Sequence, residues 1–161
     1  MSTASIAARR IFSGTISCGV FVLCLSAIPY YNLRMSAATP DHISDPLAAL
    51  RHYFDFPQFR RGQAEAIEHV LDRRDTLVVM PTGAGKSLIY QLAALLLPGT
   101  ALVFSPLIAL MKDQIDSLIR RGIAATFINS SLDTAEQSRR IQLLVDGQYK
   151  IVLVAPERLR S

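Results

Sequence analysis

The chain has 161 residues, half of them apolar and 19% charged, which excludes a disordered polypeptide and is enough for one domain with a real core. Its formal charge of +4 is no footprint for nucleic acid: Arg9, Arg10 and Arg34 stand without an acid in residues 1–34, and residues 35–161 hold 14 Lys+Arg against 13 Asp+Glu. Both cysteines, Cys18 and Cys24, lie in the leading stretch, so the body has neither a disulfide scaffold nor a cysteine-ligated zinc, and no metal-type spacing groups His42, His52 and His69.

Residues 1–34 form a hydrophobic tail. Residues 11–33 carry no charge, and their length is near that of a membrane-spanning helix. Ser13, Gly14, Thr15, Ser17, Gly19 and Ser26 dilute the stretch, and Pro29 disturbs its end. Three readings stay open. The translation start is placed too far upstream, with Met35 opening the polar "MSAATPDHISDP". Alternatively the tail is a membrane anchor, or a signal peptide with 20–25 as its apolar core. Residues 35–45 then read as a linker, and 46–161 as the folded domain.

Asp45-Pro46 is a helix start, with Asp as cap and Pro in the first helical position. "LAALRHYF" follows at helical spacing. Ala66, Ile67, Val70 and Leu71 make the apolar stripe of a second helix over 62–71. "TLVVM" at 76–80 predicts a short buried strand. A helix over 87–97 ends at Pro98-Gly99. Strand 101–105, helix 107–121 with Gly122 as its stop, and strand 123–128 follow. Asp133 or Thr134 caps a helix running to 146, and "IVLVA" at 151–155 is the last strand. Strands alternating with helices of this length predict an α/β fold: a parallel sheet with helices on both faces.

The chemistry centres on "MPTGAGKS", residues 80–87, between the strand at 76–80 and the next helix. A phosphate needs several backbone N–H groups turned toward it. Gly83 and Gly85 permit the dihedrals and the close approach, and the helix starting near Lys86 adds its N-terminal donors. Lys86 brings an ammonium for β- and γ-phosphates, and Ser87 a hydroxyl for Mg²⁺. Such a loop usually opens with glycine at the place held by Met80; here Pro81-Thr82-Gly83 replaces that looser start, and Ala84 separates the two glycines.

The flanks narrow the class. Upstream, "FDFPQFRRGQ" offers Phe56 to stack on a base, Gln63 to pair with an adenine edge through its donor and acceptor, and Arg60 to brace the loop or reach phosphate. Downstream, Ser105, Pro106 and Leu107 leave a strand and open a helix, a place that suits a phosphodiester. Lys112 and Gln114 read as solvated positions on that helix. "VAPERL" repeats the design with Pro156, Glu157 and Arg158.

Together, FRRGQ, VVMPTGAGKS, YQLAALLL, SPLIALMKDQI, NSS at 129–131 and VAPERL resemble the start of a RecQ-type DNA helicase, a superfamily 2 ATPase, over about residues 46–160. The resemblance implies a truncated RecA-like lobe and ATP-driven 3′-to-5′ unwinding of DNA in repair and recombination. It implies adenine reading by Gln63, Mg·ATP binding by Lys86 and Ser87, and single-stranded DNA contacts at 105–107 and 156–158. It also implies a location in the cytoplasm, at the nucleoid, or in the nucleus. Ala84 departs from the more frequent glycine, and Phe56 from tyrosine.

The acidic D-E-x-H segment that would hold Mg²⁺ and orient water is absent from 1–161, as are a second lobe and a cysteine-rich zinc region. The acids after the loop are Asp113, Asp116, Asp133, Glu136, Asp146 and Glu157. Five sit on or beside helices, and Glu157 has no second carboxylate next to it. The expectation is therefore a fragment that binds nucleotide without turning it over. The alternatives are a non-catalytic nucleotide- and DNA-binding piece by design, or a membrane-tethered P-loop ATPase that uses the tail.

Overall fold

A computed structural model describes residues 43–157. The hydrophobic tail with its three readings, most of the linker, and Arg158 lie outside the described residues.

Helix α1 (Pro46–Phe54) begins as its sequence dictates: the Asp45 carboxylate accepts from Ala48 N at 2.6 Å, and Pro46 occupies the first turn. Helix α2 (Gln63–Leu71) follows Gly62, whose φ of 80° turns the chain into it. Helix α3 (Lys86–Leu96) leads to strand β1 (Ala101–Phe104). Helix α4 (Ile108–Arg120), strand β2 (Ala125–Ile128), helix α5 (Thr134–Val145) and strand β3 (Ile151–Val154) complete the described chain. Each expected helix is present, with ends shifted by a residue or two as terminal turns fray or tighten.

The sheet is parallel, in the order β1-β3-β2. β3 is the middle strand, so its "IVLV" must be apolar on both faces, and Ile151, Val152 and Leu153 have no exposed surface. The register sets Phe104, Val154 and Ile128 level across the sheet. The segments beginning at 105, 129 and 155 therefore leave one and the same edge. In an open parallel sheet, ligands collect at that carboxyl edge.

One expected strand is not formed. Residues 76–80 have no ladder partner among the described residues, although their side chains alternate as in a strand. Val78 and Met80 pack against the core, while Leu77 and Val79 stand 67% and 70% exposed. A β-branched run predicts an extended backbone, but a strand needs a neighbour to receive its N–H and C=O groups, and periodicity does not supply one.

The core joins Leu50 of α1, Ile67 of α2, Leu92 of α3, and Met111 and Leu118 of α4 to Ile151 and Leu153 of β3. α1 and α2 both pack on α3, which makes α3 the spine of this layer. The turn after α3 is tied to the sheet: Lys150 Nζ donates to the Leu97 carbonyl, and Thr100 Oγ1 to the Tyr149 carbonyl, each at 2.6 Å.

Helix α5 contributes no buried residue. Its attachment is Arg140, whose guanidinium lies 4.6 Å from the Phe127 ring centroid, donates to the Phe127 carbonyl at 3.0 Å and donates to Glu136 at 2.7 Å. Hydrogen bonds to charged groups contribute about 1.5–3 kcal/mol, and a cation over an aromatic ring about 0.5–2 kcal/mol. Arg140→Ala is expected to cost about 2 kcal/mol in urea denaturation, and Arg140→Lys to recover little, because an ammonium cannot serve ring, carbonyl and carboxylate from one plane. An unchanged urea midpoint in Arg140→Ala would mean that α5 is held by something else.

Candidate functional site

The loop at 80–87 has the backbone its glycines were expected to provide. Gly83 and Gly85 take φ values of 83° and 87°, in the left-handed region. Gly85 caps α3, and no side chain takes up the first-turn N–H groups of that helix. These donors, with the positive end of the helix dipole, fit an anion. Met80 is half-buried, Pro81 and Thr82 are exposed, and Ala84 N closes a turn onto the Pro81 carbonyl at 3.2 Å.

Lys86 folds back over the loop. Its ammonium donates to the Met80 carbonyl at 2.9 Å and to the Pro81 carbonyl at 3.0 Å. The charge is thus held by two neutral acceptors of the loop itself. A phosphate is a stronger acceptor for an ammonium than a neutral carbonyl, so this arrangement is exchangeable.

Gln63 is the most enclosed polar residue of the site, 2% exposed at the start of α2. Its Oε1 accepts from Arg60 N at 2.8 Å. Its Nε2 donates to the Gly85 carbonyl at 3.1 Å and to the Ala84 carbonyl at 3.3 Å. Arg60 adds a second tie, with Nη1 donating to the Gly83 carbonyl at 2.7 Å. The sequence places Gln63 as a base reader and Arg60 as a brace. The structure gives Arg60 the brace and engages Gln63 with the loop as well. No sequence signal distinguishes a glutamine that faces a ligand from one that holds a loop 22 residues away.

Beside Gln63 opens a cleft of about 580 Å³, lined by Phe56, Pro57, Phe59, Arg61 and Leu88 together with Arg60, Gln63 and Gly85. Phe56 is 44% exposed at its rim. The volume and mostly apolar lining suit a planar heterocycle, with the amide of Gln63 in its wall.

Ser87 is half-buried in the first turn of α3, and Tyr90 follows one turn later on the same face. Burial pushes the Tyr90 hydroxyl above its ordinary pKa, opposed by hydrogen bonding from Gln91 and Ser87. Tyr90 Oη also meets Gln114 Oε1 on α4 at 3.3 Å. This corrects the reading of Gln114 as a solvated helix position: its amide is half-buried against α3. Lys112 does face solvent, paired with Asp116 one turn on.

At the sheet edge, Ser105 is buried and its Oγ accepts from Leu107 N at 3.3 Å, leaving Pro106 and Leu107 outward. Pro156 is half-buried and Glu157 exposed at the end of β3. Segments 105–107 and 155–157 thus share the carboxyl edge of neighbouring strands. Asn129, level with them on β2, is buried and closes its own turn by accepting from Ser131 N and Oγ.

Four of the six acids that follow the loop have partners of their own, while Asp113 and Glu157 are exposed. Asp133 caps α5, Glu136 pairs with Arg139 and Arg140, Asp116 pairs with Lys112, and Asp146 accepts from Gln142. The Arg139 and Arg140 guanidiniums lower the Glu136 pKa from 4.5 to about 2. No group of three or more His, Cys, Asp or Glu suited to a metal ion occurs among the described residues. Nor is any helix among them long and apolar enough to cross a membrane.

Two substitutions test this geometry. A Cβ at Gly85 would run into Gln63 Nε2, and the residue would also sit at positive φ. Gly85→Ala is therefore expected to displace Gln63 and destabilise the chain by about 1–3 kcal/mol in urea denaturation, the range for a strained dihedral. Lys86→Ala is expected to keep the urea midpoint within about 0.5 kcal/mol, since it removes an exchangeable surface contact. Unfolding of Lys86→Ala by circular dichroism would make Lys86 structural.

Comparison with known proteins places the chain in a family. Residues 60–161 match the family described as DEAD/DEAH box helicase. The chain is 50% identical over 113 residues to the ATP-dependent DNA helicase RecQ of Bacillus subtilis, covering 70% of this chain and 19% of that protein. It is 50% identical over 116 residues to the RecQ of Haemophilus influenzae, covering 71% and 19%. It is 46% identical over 136 residues to the RecQ of Pasteurella multocida, covering 84% and 20%, a span longer than residues 35–161 and so reaching into the hydrophobic tail. The chain thus spans about a fifth of the length of these relatives. Its parallel sheet, its phosphate loop on α3 and this similarity agree: the chain belongs to the DEAD/DEAH box helicase family and carries part of a RecQ-type motor lobe.

Proposed function

We propose that this chain is the nucleotide-binding part of an ATP-dependent DNA helicase of RecQ type. The single observation that carries the reading is the joined unit of loop and cleft, in which Gln63 lines a cleft of heterocycle size and is hydrogen-bonded to the Ala84 and Gly85 carbonyls. The whole protein unwinds DNA with 3′-to-5′ polarity.

In this reading Phe56 stacks on adenine and Gln63 pairs with its edge. An amide has two N–H donors and two acceptor lone pairs, so Gln63 meets the base by giving up one loop carbonyl and using the free lone pair of Oε1. Base recognition and loop shape are then linked. Lys86 exchanges the Met80 and Pro81 carbonyls for the β- and γ-phosphates, Ser87 offers its hydroxyl to Mg²⁺, and the first turn of α3 donates its N–H groups. Bound Mg·ATP supplies the phosphoanhydride whose cleavage drives strand separation.

Single-stranded DNA lies along the carboxyl edge of the sheet, against 105–107 and 156–158. Pro106 and Leu107 are outward there, and the N-terminus of α4 has no side-chain cap, which supports a phosphodiester contact. The resemblance extends this contact to Arg158, which lies outside the described residues. The protein acts where DNA is, in the cytoplasm at the nucleoid or in the nucleus.

Residues 1–161 bind Mg·ATP and hydrolyse it no faster than background. The pairing of Asp116, Asp133, Glu136 and Asp146 with their own neighbours supports this.

The test is nucleotide selectivity by calorimetry. ATP is expected to bind in preference to GTP, and Gln63→Ala to erase a preference worth about 1–3 kcal/mol, the range for a bidentate base contact. Lys86→Ala is expected to abolish Mg·ATP binding. Equal affinity for ATP and GTP in the unmodified chain would remove the adenine assignment. DNA-stimulated phosphate release that is lost in Lys86→Ala would show that a carboxylate within the chain completes the site.

A further inference from the structure

The cleft beside Gln63 has a fixed wall and a free cation. Asp55 turns the chain with a φ of 58°, and Arg51 Nε donates to the Pro57 carbonyl at 3.2 Å, so the segment that carries Phe56 is held on both sides. Arg60 is committed to the loop through the Gly83 carbonyl. Arg61 is its neighbour in sequence and also lines the cleft. It is exposed, and its guanidinium makes no hydrogen bond or ion pair among the described residues. Gly62, in the left-handed region at φ 80°, separates it from the enclosed Gln63. Two adjacent arginines thus have different surroundings. One is tied to the phosphate loop, and the other stands at a mostly apolar cleft with all its donors open.

A guanidinium is planar and more weakly hydrated than an ammonium, so it gives up little hydration on meeting the face of a ring. Bases stack on guanidinium planes as they do on aromatic side chains. In the proposed function Phe56 takes one face of the base and Gln63 one edge, which leaves the second face bare. We propose that Arg61 closes over that second face, so that the base is held between the Phe56 ring and the Arg61 guanidinium. Arg61 then sets affinity for the ring as such, whereas Gln63 reads its edge. The phosphate end has its own cation in Lys86 and its own donors at the start of α3, and Arg60 is the arginine turned toward it. This inference rests on the proposed function, because it needs a base in this cleft.

The experiment is calorimetry on the full chain with Mg·ATP, Mg·GTP and magnesium tripolyphosphate, a ligand without a ring. It is repeated for Arg61→Ala, Arg61→Lys and the charge control Arg120→Ala, which removes an exposed arginine from the last turn of α4. Arg61→Ala is expected to weaken ATP and GTP by one common factor of about five-fold, the size of a cation–ring contact at an exposed site, and to leave tripolyphosphate within about two-fold. The ratio of ATP to GTP affinity stays as it was. Arg61→Lys is expected to restore little, because an ammonium has no plane to lay on the ring. Arg120→Ala is expected to bind all three ligands as the unmodified chain does. Urea midpoints confirm that every variant is folded. Undiminished nucleotide affinity in Arg61→Ala would overturn the proposal, as would full recovery in Arg61→Lys. A loss shared by tripolyphosphate and relieved at high salt would overturn it by placing Arg61 on the phosphates. A changed ATP-to-GTP ratio would overturn it by making Arg61 an edge reader. An unmodified chain that binds no nucleotide would instead refute the proposed function, and this inference with it.

Discussion

The structure depends on one close approach. Gln63, at the start of α2, lays its amide across the backbone of Ala84 and Gly85, at the point where the loop turns into α3. This is possible only because residue 85 has no side chain, since a Cβ there would occupy the space of the amide nitrogen. The glycine therefore serves two needs at once. Its positive φ starts α3, and its bare surface admits the group that fixes the loop. Arg60 repeats the tie at Gly83, so segment 60–63 holds both glycines of the loop from outside. Loop, cleft and helix are consequently one object.

Much of this was legible from residue types. Asp45-Pro46 could only open a helix, and the structure has the carboxylate accepting from Ala48 N as a capping aspartate does. The uniformly apolar "IVLV" reads as a strand of a sheet covered on both faces, and it is buried on both as the middle strand. The run 76–80 was misread for a related reason. Its composition favours extended backbone, and its backbone does alternate, but strand formation is a property of a pair. Nothing local in "TLVVM" says whether a neighbouring ladder is there to receive it.

The site was legible in its parts and not in its wiring. A loop with left-handed glycines at 83 and 85 opening a helix follows from the spacing of Gly83, Gly85, Lys86 and Ser87, and the structure has it. The internal engagement of Gln63 does not follow, because an amide offers the same donors and acceptors to a loop carbonyl and to a base. Gln114 was missed altogether. A glutamine on an amphipathic helix reads as solvated by default, and only the hydrogen bond across to α3 shows that its amide meets Tyr90. Contacts between helices far apart in sequence leave no periodic trace.

The two ends of α3 and the edge of the sheet are thereby brought into one mechanical frame. The loop end begins at Gly85 with no side-chain cap, and the far end is fixed to the start of β3 through Leu97 and Lys150. β3 in turn sets 105–107 and 155–157 side by side, because its neighbour β1 is in register with it to the last residue. A displacement of α3 therefore has two routes to that edge. One runs through the sheet, which is stiff because its central strand is buried on both faces. The other runs through Tyr90 and Gln114, a single directional bond between helices. A stiff route transmits position without discriminating between states, whereas a bond that exists in one geometry and not another distinguishes two states.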